Sequence, residues 1–482
     1  MHKGMTRHLY RFRSIKRLLG VDAELERQEI YFATPSELND PIEGFKDIFW
    51  QGDQIVWTNL FRHYLLCLNH ACSFFAILGE EHPLKWEAIP ICDPYSAFDT
   101  DAMRNLQDTL LESFFSNRGV NTYIKRLASR KQPIRQNELG VHIQNIHALA
   151  IATIYEVQHR RGLAPKPNNS SEFISSIDST LANAIKAVDA INQLEASHPD
   201  NEYATEEIFS SQRKISGQLN LINYYNQTID LSQNNRLFVF VDFPEAYVRE
   251  IERLIHPDWY AACFTKDCHN SSTWTHYGDN HKGVCLRFKT NCANDLRTIN
   301  LHRICGWSST GPVHGSVAHE FYPITYQSKH VSIDFFKSMG TLPIPIISRE
   351  WFHDNEGRRS TCADNGIDMS EEQRTTYWKM FADGATTKLN DWAYEKEYRL
   401  LLHGSLLDFS ARDSRLVKYD FADLDGIIFG IKTTTEDKLQ IMKLIEKKCR
   451  LLGRNHFKFY QAYYSRQNAR IENTEMSLLK FS

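Results

Sequence analysis

Trp274-Thr-His-Tyr-Gly-Asp-Asn-His-Lys-Gly-Val-Cys-Leu-Arg-Phe288 sets two histidines, a tyrosine, an Asp-Asn pair and two glycines in one run that passes straight into an alternating strand. The run is too polar for core and too rigidly punctuated for linker. Its pattern predicts a helical turn or short helix over Ser271 to Asn280, an exit through Gly283 at positive φ, and a strand over Val284 to Phe288. Polar groups at the mouth of a strand are where sites tend to be built.

Upstream, Trp259-Tyr-Ala-Ala-Cys-Phe-Thr265 reads as the strand that delivers the chain to this run, and Arg236-Leu-Phe-Val-Phe-Val-Asp-Phe243 as the strongest strand of all, with Pro244 starting a helix to about Ile255. At the N-terminus Leu9 to Arg13 alternates as a half-buried strand does. A short helix follows over Ile15 to Leu25, then a strand over Glu29 to Ala33. Pro35-Ser-Glu-Leu-Asn-Asp-Pro41 is dense in turn formers, so Asn39, Asp40 and Glu43 are expected at a loop mouth. Downstream, Ile324 to Tyr326 reads as a short strand and Lys379 to Asn390 as a helix. Glu397 to Leu402 and Gly426 to Gly430 read as strands, Thr433 to Lys447 as a helix capped by Thr434 or Thr435, and Lys458 to Tyr463 as the last strand.

Between about residues 55 and 235 the apolar residues recur at three- and four-residue spacing, with breaks at Ala164 to Ser171 and Ser197 to Asn201. The expected class is therefore α+β: a mixed central sheet with flanking helices, interrupted by a large, mostly helical insertion. The body spans 1–55 and 236–465 and carries a single cleft, the insertion spans 56–235, and 466–482 is a C-terminal tail. The insertion is the natural place for a protein partner or an oligomer contact.

A net charge of −3 over 482 residues offers no global attraction to phosphate or anionic lipid, so nucleic-acid binding would need a local basic patch. No window is long and apolar enough for a membrane span, and no signal peptide is apparent, so a cytoplasmic, membrane-free protein is expected. The ten cysteines are scattered, as reduced thiols are. Cys263, Cys268, His269, His276, His281 and Cys285 fall close together, but without the spacing of a zinc site.

The central run, with Tyr31 to Pro41 upstream and Trp392-Ala-Tyr-Glu-Lys-Glu-Tyr-Arg-Leu400 downstream, resembles the bacterial domain-of-unknown-function 2971 family. A second similarity, at the level of motifs, is to arginine-type ADP-ribosyltransferases: a strand arginine, Arg11; the segment Ser271-Ser-Thr273; and the pair Glu395-Lys-Glu397. That resemblance implies NAD as substrate, with Arg11 holding its pyrophosphate and Ser272 orienting a carboxylate. Glu397 would bond the ribose and stabilise an oxocarbenium-like transition state, and Glu395 would activate the acceptor, a protein or a nucleic acid. Tyr277 would stack on the nicotinamide. His276 is a candidate catalytic residue and His281 a candidate ligand contact, either able to titrate near neutrality, with one of the two pinning the loop. Asn39, Asp40 and Arg399 complete the expected small-nucleotide site.

Two other classes stay open. Asp40, Glu43, Glu395 and Glu397 could serve as hard oxygen ligands in a metal-dependent phosphodiesterase or nuclease, although no metal is favoured. Alternatively the chain is a non-catalytic ligand-sensing or interaction module. The bland reading of Glu395 to Arg399 is a solvent-facing strand edge with Arg399 paired to a carboxylate, and that of Arg11 is a surface cation. An effector role against phage or competitors enters only by analogy with transferases of this class.

Overall fold

A computed structural model describes residues 7–97, 100–167, 171–197, 204–226, 234–293, 296–367, 369–404 and 407–479. The chain divides into two compact units, one formed by 1–45, 258–331 and 381–482, the other by 46–257 and 332–380. These bounds differ from the expected body and insertion: 46–55, 236–257 and 332–380 fall in the second unit and the 466–482 tail in the first. The class is α+β.

The first unit is built on a 12-stranded mixed sheet. Its main path runs Arg470–Glu475, Lys458–Ser465, Leu424–Phe429, Val284–Ala293, Arg7–Arg13, Trp259–Thr265, Glu397–His403 and Tyr322–Pro323. Leu424–Phe429 and Lys458–Ser465 lie parallel, joined through the helix Thr435–Leu452, while the other neighbours on this path are antiparallel. One face packs Leu9, Phe264, Leu286, Leu400 and Ile427 against Ile441 and Ile445 of that helix. Thr434 caps the helix by accepting from the Asp437 backbone, and Gly453 ends it at φ +63°, a conformation that suits a residue without Cβ. On the other face Phe12, Cys285 and Ile428 cluster with Trp274.

The sheet splits beside Arg7–Arg13. That strand pairs with Val284–Thr290 over its whole length, but with Trp259–Thr265 only at Tyr10 and Thr265. Past this point Ala261 takes Ala33 as partner instead, through hydrogen bonds of 2.8 and 2.9 Å. The separation leaves a gap whose walls come from distant parts of the sequence.

Several local expectations need correction. The Ile15 to Leu25 segment forms two short helices, Ile15–Leu19 and Glu24–Arg27. The helix expected over Lys379 to Asn390 is Glu371–Thr386, followed by a strand Thr387–Leu389 and a 3-10 helix Asn390–Glu395. Arg470–Glu475 extends the sheet where a tail was expected. Part of the break expected at Ser197 to Asn201 lies outside the described residues.

The second unit is mostly helical, with Gln54–Leu78 at its centre. Asp53 starts that helix by accepting from the Ile55 and Val56 amides, and the side chains of Val56, Trp57, Leu60, Phe61 and Tyr64 are fully buried. Arg236 to Phe243 is not a strand: Asn234–Leu237 is helical and continues through a π-turn into Phe243–Glu250. The cause lies far away in sequence. The Glu80 carboxylate accepts from the Asn235 and Arg236 amides, capping the helix start, and the Asn235 side chain bonds Gly79, His82 and Leu84. No described helix is long and apolar enough to cross a membrane.

Glu252 of this unit accepts from Gln136 at 2.7 Å. Burial, opposed by Lys46 and reinforced by Glu250, pushes its carboxyl up from 4.5 to about 7. The folded protein thus keeps a proton that the unfolded chain releases, so stability declines as pH rises from about 4.5 to about 7 and then levels off. Glu252→Gln keeps the acceptor without the charge. It is expected to abolish this contribution to the slope and to raise stability at pH 8 by on the order of 1–3 kcal/mol, measured by urea unfolding across pH.

Candidate functional site

The split in the sheet opens into a cavity of about 330 Å³, lined on one side by Tyr10, Arg11 and Arg13 and on the other by Ala261, Cys263 and Thr265. Asn39, Thr273, His276, Tyr277, Glu43, Lys388, Glu395 and Glu397 also line it, as do the charged Arg17, Glu37 and Asp279. The size is at the lower end of small-molecule pockets. Tyr10, Thr265 and Glu397 stand in one row across three strands, so their backbones span about 10 Å at ordinary strand spacing. Arg11 follows Tyr10 and so projects to the opposite face of its strand, over Phe264, yet both Arg11 and Glu397 line the cavity.

Arg11 is not a surface cation. It is 3% exposed, donates through Nη2 to the Tyr31 carbonyl at 2.8 Å, and lies over the Phe264 ring at 5.2 Å. Its Nη1 is buried without a hydrogen-bond partner, and no described carboxylate is within ion-pair distance. A buried guanidinium lacking a counterion, in the wall of a cavity, is a ready anion site.

The opposite wall is acidic. Lys396 turns the chain at φ +48° between Glu395 and Glu397, and Thr265 Oγ1 donates to the Glu395 carbonyl at 2.6 Å, so both glutamates enter the same cluster. Lys388 Nζ reaches Glu395 at 2.8 Å, Glu397 at 3.0 Å and Glu43 at 3.5 Å. Behind them Arg399 is fully buried. Its Nε donates to Glu397 at 2.8 Å, its Nη2 reaches Glu43 at 2.9 Å, and its Nη1 donates to the Ala385 carbonyl at 2.6 Å. Three carboxylates thus share two cations in this cluster.

The two central glutamates are tuned apart. Burial raises the proton affinity of Glu395, with Lys388 opposing and Glu397 reinforcing. Burial acts the same way on Glu397, but Arg399 and then Lys388 outweigh it and hold the carboxyl well below its usual range. Tyr277 donates to Glu395 at 2.6 Å, and burial followed by the Glu395 charge keeps its phenol protonated. Glu395, Glu397 and Arg399 accordingly form an interior ion-pair cluster rather than a solvent-facing edge, while Lys396 between them is exposed and pairs with Asp267.

The short helix Ser271–Tyr277 positions the rest, capped by Asn270 and anchored by buried Trp274, whose indole donates to the Cys268 carbonyl at 2.8 Å. Ser272 is exposed and outside the cavity wall, whereas Thr273 is in the wall with its buried hydroxyl unpartnered. His276 stands exposed at the rim. His281 lies outside the wall and stacks on Trp274 at 6.2 Å, with Nε2 3.3 Å from Thr275 Oγ1, so it pins the loop. Asp40 likewise shapes its turn by accepting from the Ile42 amide, and Asn39 rather than Asp40 is in the wall.

The loop's exit differs from expectation. Asp279, Asn280 and His281 take φ of +50°, +52° and +69°, and Gly283 does not. Glycine is needed at 283 for space: a Cβ there would come within 2.3 Å of the Arg13 carbonyl.

Of the carboxylates suggested for a cation, Glu43, Glu395 and Glu397 are engaged by Lys388 and Arg399 and Asp40 by the Ile42 amide, and no described group of three or more His, Cys, Asp or Glu side chains is arranged to hold a metal ion. The nearby thiols are mostly structural, Cys263 and Cys285 being pushed up by burial. Lys388 and Thr273 were missed in the sequence. The signal for Lys388 was indirect: a Glu-x-Glu pair drawn into a cavity requires a buried counter-charge.

The fold and site define an α+β protein with a charged cavity in a split sheet. Residues 273–400, about a quarter of the chain, match the family described as "Protein of unknown function (DUF2971)". No curated protein and no solved structure gives a significant match.

Proposed function

We propose that the cavity binds NAD and that the chain is an ADP-ribosyltransferase-like, NAD-consuming enzyme. The observation that carries this reading is the polarity of the cavity: a buried guanidinium without a counterion, Arg11, on one wall and a cluster of three carboxylates sharing two cations on the other. NAD matches it, with an anionic pyrophosphate for Arg11 and a cationic nicotinamide ribose for Glu395 and Glu397. Tyr277, in the same wall, supplies an aromatic face near the leaving group.

In the reaction the bond from the ribose C1 to the nicotinamide nitrogen breaks, and its electron pair leaves with neutral nicotinamide. Glu397, fixed as an anion, stabilises the positive charge that develops on the ribose. Glu395, whose proton affinity is raised, accepts the proton from the attacking nucleophile, either water or an acceptor protein or nucleic acid. We propose further that the enzyme is cytoplasmic and, by analogy with transferases of this class, an effector able to drain or redirect NAD. Binding without turnover would favour a ligand-sensing module, and chelator-sensitive phosphate chemistry a metal-dependent hydrolase.

Arg11→Met tests the anion clamp. It removes the charge while keeping most of the apolar stem, and NAD affinity measured by titration calorimetry is expected to fall about 10- to 100-fold, as loss of a charge-assisted hydrogen bond implies. Unchanged affinity would remove Arg11 from the site.

A further inference from the structure

We infer that Lys388 is the positioning residue of this site, the single ammonium that holds Glu395 and Glu397 together against the cavity. The inference rests in part on that cavity being the working site. It stands on geometry that no sequence motif announces.

Lys388 lies on the Thr387–Leu389 strand, which pairs in parallel with Thr325–Gln327 outside the main sheet, so its side chain enters the cluster from a separate element. It is 7% exposed, and its Nζ sits 5.0 Å from the Trp392 ring centre, a face that favours a cation. Nζ bonds one oxygen of Glu395 and one of Glu397, bridging residues on either side of the left-handed Lys396. Glu397 has a second cation in Arg399, but Glu395 has only Lys388 and the Tyr277 hydroxyl as side-chain donors among the described residues.

Removing Lys388 therefore falls chiefly on Glu395. The titratable and charged groups around the cluster are Glu43 from the turn, Cys263 from its strand, Tyr277 from the short helix, Tyr326 from the paired strand, Tyr394 from the 3-10 helix, and Arg399. Only Lys388 and Arg399 are cations, and Arg399 is committed to Glu397, Glu43 and Ala385. Without Lys388, Glu395 would stand beside other carboxylates in a buried setting and would hold its proton to higher pH.

The test is infrared titration of the protonated carboxyl band of Glu395 in the full chain, assigned by its disappearance in Glu395→Gln. In Lys388→Met the midpoint is expected to rise by roughly one pH unit or more, a tenfold change in proton affinity. Lys388→Met/Glu43→Gln lowers the positive and negative counts together. It serves where the single variant does not fold, and it should show a rise in the same direction. A wild-type midpoint in the folded variant overturns the assignment. The measurement uses no nucleotide, so absence of NAD turnover would remove the proposed reaction and leave this result standing.

Discussion

Glu397→Gln is expected to lower nicotinamide release from NAD about 10²- to 10³-fold, the range seen when a preorganised charge facing the transition state is removed. The effect should fall on kcat with KM little changed, because the carboxylate acts on charge that develops only as the glycosidic bond breaks. The fold should survive. Glutamine can still accept from Arg399, and Glu43 and Glu395 then balance Lys388 and Arg399. A variant that keeps full turnover would show that the fixed anion lies elsewhere.

Arg399→Met carries the largest expected loss of stability, about 3–5 kcal/mol, because it leaves Glu397 and Glu43 buried with Lys388 as their only cation and strips the donor from the Ala385 carbonyl. Methionine matches the stem but replaces none of these bonds. Arg399→Lys should recover little, since one ammonium cannot reproduce three directed N–H contacts. Urea unfolding near neutral pH gives the number. The same ion pairs make the cluster acid-labile: Glu397 is held below its usual 4.5, so its contribution is present above about pH 4.5 and is lost as pH falls through the folded value. In Arg399→Met that acid dependence should weaken, because the group that lowers Glu397 most is gone.

What could be read from the sequence divides along physical lines. Local patterns gave the strands around Arg11, Cys263, Leu286 and Leu400, because alternation needs only neighbouring residues. The helix over Ser271–Tyr277 and the Thr434 cap were legible for the same reason. Arg236 to Phe243 was not: its β-branched and aromatic run favours a strand locally, but Glu80, some 155 residues earlier, caps it as a helix, and Phe240 stacks on Tyr155.

The site follows the same rule. Arg11, Asn39, His276, Tyr277, Glu395 and Glu397 all reach the cavity wall, while Ser272, His281, Asp40 and Arg399 do not. Ser272 failed by one residue, since on a helix the adjacent Thr273 points about 100° away and into the wall. Lys388 was hidden by the expectation of a helix over its segment and by the ordinary preference of lysine for solvent.

The central claim is that this cavity binds NAD and breaks its glycosidic bond without a metal ion. The direct measurement is nicotinamide release from labelled NAD by the purified full-length protein in the presence of chelator. Release that persists with chelator and disappears in Glu397→Gln is the predicted result. No release by the wild-type protein, or release that requires Mg²⁺, would contradict it.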